Sequence, residues 1–131
     1  MTIYETEQSI INDLNDLGDV LARSEFLIRC GKAYEGLRQE QRFDSYLIED
    51  CQVKTWVRLS WIDLRLSFCA YSESMLVNGA LALFDELFNN RSREELSAFK
   101  CSLTDEPSFA DLFTRTQLKG MRSIVHMILI K

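Results

Sequence analysis

The stretch VKTWVRLSWIDLRLSFCAY, running from Val53 to Tyr71, alternates with a period of two. Val53, Thr55, Val57, Leu59 and Trp61 fall on one face; Lys54, Trp56, Arg58 and Ser60 fall on the other. Past Ile62-Asp63 the alternation resumes, with Leu64, Leu66, Phe68 and Ala70 opposing Arg65, Ser67, Cys69 and Tyr71. Two strands separated by so little chain must pair as an antiparallel hairpin. Its turn is chemically poor, because no Gly or Asn stands there to supply a positive φ. Just upstream, Tyr46 and Ile48 alternate with Leu47 and Glu49, which predicts a short third strand ending at Asp50-Cys51-Gln52.

On both sides of this block the period lengthens to that of a helix. Thr6 to Leu17 sets Ile10, Ile11, Leu14 and Leu17 at helical spacing. Gly18 breaks the run and Asp19 can cap a second helix, which carries Leu21, Phe26, Leu27, Ile28 and Cys30 and ends near Gly36. From Leu37 to Ser45 the chain turns polar and charged and reads as a loop. After the strands, Ser72 offers an N-cap for a helix with Met75, Leu76, Gly79, Leu83, Leu87 and Phe88 as its buried stripe. Ser92-x-x-Glu95 is a capping box, and Pro107 suits the first turn of another short helix with Phe109, Leu112 and Phe113. The last helix starts near Thr114 and turns Leu118, Met121, Ile124, Val125 and Ile128 inward. Strands grouped between helices predict an α+β class: a small three-stranded antiparallel sheet with helices packed against it, in a single domain over residues 1–131.

Composition narrows the function classes. With 131 residues and 47% apolar content the chain can bury a core without disulfide staples. Twenty acidic against fifteen basic residues leave a net charge of −5, so the electrostatic footprint of a nucleic-acid binder is missing. No apolar run approaches the roughly 20 residues of a membrane span. Met1-Thr2-Ile3-Tyr4-Glu5 offers neither a basic nor an apolar export region, which points to the cytoplasm.

The four cysteines, Cys30, Cys51, Cys69 and Cys101, are widely spaced, with none of the tight Cys-x(2–4)-Cys pairs of a structural zinc site. Reduced thiols are expected. Cys30 falls in a helical apolar pattern, Cys69 inside a strand and Cys101 near Phe99 and Leu103, so each reads as a small buried hydrophobe. Cys51 differs, because Glu49, Asp50 and Gln52 around it resist burial and place a thiol at a loop tip. Glu49 and Asp50 disfavour a thiolate there, while Lys54 and Arg42 favour it. No histidine accompanies it, since His126 sits in an apolar helix and reads as structural, which argues against a cysteine hydrolase. A thiol without its own base can still accept sulfur from a protein that supplies the activation.

Four collinear segments then carry a resemblance. They are Glu25-Phe26-Leu27-Ile28-Arg29-Cys30-Gly31-Lys32; Arg42-x-x-x-Tyr46-x-Ile48-x-x-Cys51-Gln52-x-x-x-Trp56; Ala70-x-Ser72-Glu73-x-x-x-Val77-x-Gly79; and Thr114-Arg115-Thr116-Gln117-Leu118-Lys119-Gly120-Met121. Together they resemble the SufE-type sulfur acceptors over roughly residues 20 to 130. The family has Gly-Cys-x-Ser where this chain has Asp50-Cys51-Gln52-Val53. The resemblance implies a SufE/IscU-like fold and a carrier rather than a stand-alone enzyme. Cys51 would take persulfide sulfur from a pyridoxal-phosphate cysteine desulfurase of the SufS-like kind and pass it to a downstream Fe–S scaffold or other sulfur acceptor. Pyridoxal phosphate belongs to the partner, so no cofactor of the chain's own is expected. Gln52, Lys54, Trp56 and Arg115 are the supporting candidates, and Trp56 with Tyr46 would wall the loop. An IscU-like metal or Fe–S scaffold and a non-reactive interaction domain of the same fold stand as alternatives.

Overall fold

The structure, a computed structural model, describes residues 1–49 and 51–130. Helix α1 (Ile3–Asp16) begins at a capping box in which Thr2 and Glu5 satisfy each other's backbone N–H groups. Gly18, at φ +84°, ends the excursion, and the Asp19 carboxylate accepts from Ala22 N at 2.8 Å to open α2 (Val20–Ala33). The second helix stops short of Gly36, because Tyr34 already has extended backbone. Gly36 takes φ +51°, and a side chain there would run into the Ala70 carbonyl, which accepts from Leu37 N at 3.0 Å. Two single turns of 3-10 helix follow, Gln39–Gln41 and Asp44–Tyr46.

Strands β1 (Thr55–Ile62) and β2 (Arg65–Ser72) pair antiparallel from Thr55 opposite Ser72 to Ile62 opposite Arg65. Asp63 and Leu64 form the two-residue turn with φ +51° and +67°, a type I′ pattern built without glycine. The expected third strand is absent among the described residues, and the sheet has two strands. Tyr46 is consumed by the 3-10 turn, and after Ile48 the chain bends so that Cys51 N approaches Ile48 O at 3.4 Å. Among the described residues of that stretch, Leu47 opposite Trp56 survives as an isolated bridge, with Ile48 N donating to Thr55 O at 2.9 Å. The start of β1 is also buried on both faces, not one. Val57 faces the helical core, while Trp56 is covered on the far side by Tyr71 and by Arg42, whose guanidinium lies 3.6 Å from the Tyr71 ring centre.

Helix α3 (Met75–Phe88) runs through the middle of the core with Leu81, Phe84, Leu87 and Phe88 completely covered. Its N-cap is Ser74, not Ser72; the latter ends β2, and its hydroxyl accepts from Thr55 Oγ1 at 2.9 Å. Gly31 of α2 and Gly79 of α3 let these helices touch backbone to backbone, since a methyl on Gly79 would fall 2.0 Å from the Leu27 carbonyl oxygen. Ser92 and Glu95 form the expected capping box for α4 (Arg93–Ala98), and Pro107 opens α5 (Pro107–Ala110). Helix α6 (Arg115–Ile130) starts with a reciprocal pair: Thr114 N donates to Gln117 Oε1 at 2.9 Å, and Gln117 N donates to Thr114 Oγ1 at 3.1 Å. Among the described residues the architecture is α+β, an antiparallel pair with six α-helices.

Candidate functional site around Cys51

Cys51 is half-buried in the connection between the Leu47 bridge and β1. With Gln52, Val53, Thr55, Val77 and Gln117 it lines a narrow cleft of about 10 Å³, room for one water-sized group. Three separated pieces of chain build this cleft: residues 51–55, the first turns of α3 and the first turn of α6. Its floor is rigid. Thr55 Oγ1 donates to Ser72 Oγ at 2.9 Å, Ser72 N donates to Asn78 Oδ1 at 2.9 Å, and Asn78 Nδ2 donates to Gly31 O at 2.8 Å. Thr55, Ser72 and Asn78 are all at most 1% exposed, so this chain of bonds ties β1, β2, α3 and α2 together in a dry interior where each bond is costly to break. The loop with the thiol projects from that anchored base.

The candidates named from sequence divide. Gln52 lines the cleft with Cys51 and is exposed. Lys54 is exposed, and its part in the fold is a backbone carbonyl that accepts from Glu73 N at 3.1 Å. Trp56 and Tyr46 do not line the cleft; Trp56 is a sheet residue against Tyr71, its indole Nε1 buried with no hydrogen-bond partner among the described residues. Arg115 is exposed at the start of α6, two positions before Gln117. Asp50, at the family's glycine position, lies outside the described residues. Sequence reasoning did not single out Val53, Thr55, Val77 or Gln117 as lining residues. Two of them stood in quoted motif segments, and Val77 and Gln117 both sit in the opening turns of capped helices, where a side chain can face a neighbouring loop.

The other thiols are half-buried rather than fully enclosed. Burial is the first cause in each case: it pushes Cys101 up to about 11, and it raises Cys30 and Cys69 above the usual thiol range. Nearby carboxylates reinforce the effect, Glu7 for Cys101, Glu86 for Cys30 and Asp85 for Cys69. All three are poor nucleophiles at neutral pH. His126 is exposed rather than in the core, and it lines a separate groove with Leu47, Ile48, Glu49, Arg122, Ser123 and Met127. Among the described residues no three His, Cys, Asp or Glu side chains gather as a metal site would require.

A family model described as SufE, the Fe–S metabolism associated domain, matches residues 8–130. The chain belongs to the SufE family. That membership connects the fold to Fe–S metabolism. The solution structure of a hypothetical protein from Thermus thermophilus is similar at a TM-score of 0.75 and 12% identity, covering 95% of this chain and 91% of that one, a likeness of fold. No curated protein sequence matches significantly. Among the described residues of this SufE-family chain, no helix is long and apolar enough to cross a membrane.

Proposed function

We propose that this SufE-family protein is a sulfur acceptor and carrier. Cys51 receives persulfide sulfur from a pyridoxal-phosphate cysteine desulfurase and hands it to a downstream Fe–S scaffold or another sulfur acceptor, in the cytoplasm. The Cys51 thiolate attacks the outer sulfur of the donor's persulfide. A new S–S bond forms at Cys51, the donor's S–S bond breaks, and the donor cysteine leaves as its thiolate; the transferred sulfur keeps its proton, and nothing is oxidised or reduced overall. The chain has no cofactor of its own in this scheme and is no stand-alone enzyme, because the donor makes and activates the persulfide. One observation carries the reading: Cys51 sits on a loop above a rigid floor, beside a cleft with room for about one more small atom. A half-buried thiol is sheltered from oxidation yet lies close enough to the surface for a docked donor to reach it.

The test is direct. Incubated with a cysteine desulfurase and cysteine, the protein should gain the mass of one sulfur, and Cys51→Ser should gain none. Bound metal with no sulfur gain would point instead to a scaffold. Neither sulfur nor metal would leave a non-reactive interaction domain.

A further inference from the structure

Gln117 enters the Cys51 cleft from the first turn of α6 with its amide already oriented. Thr114 N–H can only donate, and it reaches Gln117 Oε1 at 2.9 Å, so the amide oxygen is committed to the helix cap. Gln117 N in turn donates to Thr114 Oγ1 at 3.1 Å, which holds the side chain's root. The opposite corner of the amide, Nε2, carries two N–H groups that the cap does not use. The half-buried side chain lines a cleft whose other lining is Cys51, Gln52, Val53, Thr55 and Val77. Val53 and Val77 are apolar, and Thr55 Oγ1 is turned away to Ser72 Oγ and to Val53 O. A capping side chain thus also lines the cleft of Cys51, with its amide oxygen held by the cap and its N–H groups left over.

We propose that Gln117 stabilises the anionic forms of Cys51, donating from Nε2 to the thiolate before transfer and to the deprotonated persulfide after it. This rests on the sulfur-acceptor reading above. A donor fixed before the charge appears costs little reorganisation, which is how preorganised amides hold developing anions. The same capping bond that starts α6 therefore sets the aim of the donor. The effect is an acidified thiol and a longer-lived persulfide.

Two substitutions separate this role from simple capping. Gln117→Glu keeps the carbonyl-type acceptor for Thr114 N, so the cap and the melting temperature should hold, but it replaces the N–H donors with a negative charge. Gln117→Met is close in size and neutral; it removes the donors without adding charge, and it loses the cap. The readout is the pH dependence of Cys51 alkylation by iodoacetamide, followed by peptide mass, which needs no desulfurase. Both variants should raise the thiol pKa, Met by about one unit, a tenfold lower thiolate fraction at neutral pH. Glu should raise it further at unchanged melting temperature. An unmoved pKa in Gln117→Met overturns the proposal even if Glu shifts it, because charge alone would then explain Glu. Sulfur transfer is scored separately, so a wild-type protein that accepts no sulfur counts against the carrier reading and not against the donor.

Discussion

Four thiols share one chain, and their surroundings rank them. Burial and neighbouring carboxylates hold Cys30, Cys69 and Cys101 in the protonated state at neutral pH. Brief treatment with iodoacetamide at pH 7 should therefore label Cys51 first, with Cys101 last; peptide mapping after a time course checks the order. The same logic applies to Asp85. Burial raises its pKa above the ordinary 3.8, with the Tyr34 hydroxyl donating to Oδ2 at 2.8 Å as the opposing influence. A carboxyl whose folded pKa lies above its unfolded value stabilises the fold while protonated, and that contribution falls away as pH rises through the folded value. Asp85→Asn keeps an acceptor for Tyr34 and never ionises. Urea unfolding at several pH values should show the variant losing less stability than wild type as pH climbs past about 4.

At the scale of elements, one joint shows close fit and another shows strain. The α2–α3 crossing has no room for a side chain: a methyl on Gly31 would lie 2.1 Å from the Met75 carbonyl oxygen, and one on Gly79 as close to that of Leu27. Backbone cannot yield as a flexible side chain can. Gly79→Ala should cost more than about 2 kcal/mol and lower the denaturant midpoint at unchanged slope. The hairpin turn behaves the other way. Leu64 is 86% exposed and holds φ +67°, a conformation that costs an L-residue about 1 kcal/mol or more. Leu64→Gly completes an Asp-Gly type I′ turn and should raise stability by roughly 0.5–1 kcal/mol in the same measurement. Sequence reading located this hairpin correctly and flagged its turn as poor; the missing glycine is there as strain instead.

Across the whole molecule, the cleft at Cys51 joins distant stretches of chain through the buried bonds of Thr55, Ser72 and Asn78. Asn78→Ala would strand Ser72 N and Gly31 O without partners, a loss of about 2–3 kcal/mol that unfolding experiments would register. It should also loosen the base from which the thiol loop projects and slow sulfur acceptance by Cys51. Helix starts at Asp19, Ser92 and Pro107, the hairpin and the α+β class are legible in the sequence alone, because caps, turns and periodicity act over a few neighbouring residues. Cys51 stood out in the same way, from the polar residues beside it. Partners that lie far along the chain were not legible. Whether Tyr46–Glu49 forms a ladder or a single bridge depends on where the chain bends after Ile48. Whether Trp56 walls the thiol or packs in the sheet depends on Arg42 and Tyr71 closing over it. That Val77 and Gln117 share a cleft with Cys51 at all follows from how α3 and α6 pack, a matter of burying apolar faces against one another, which no local pattern encodes.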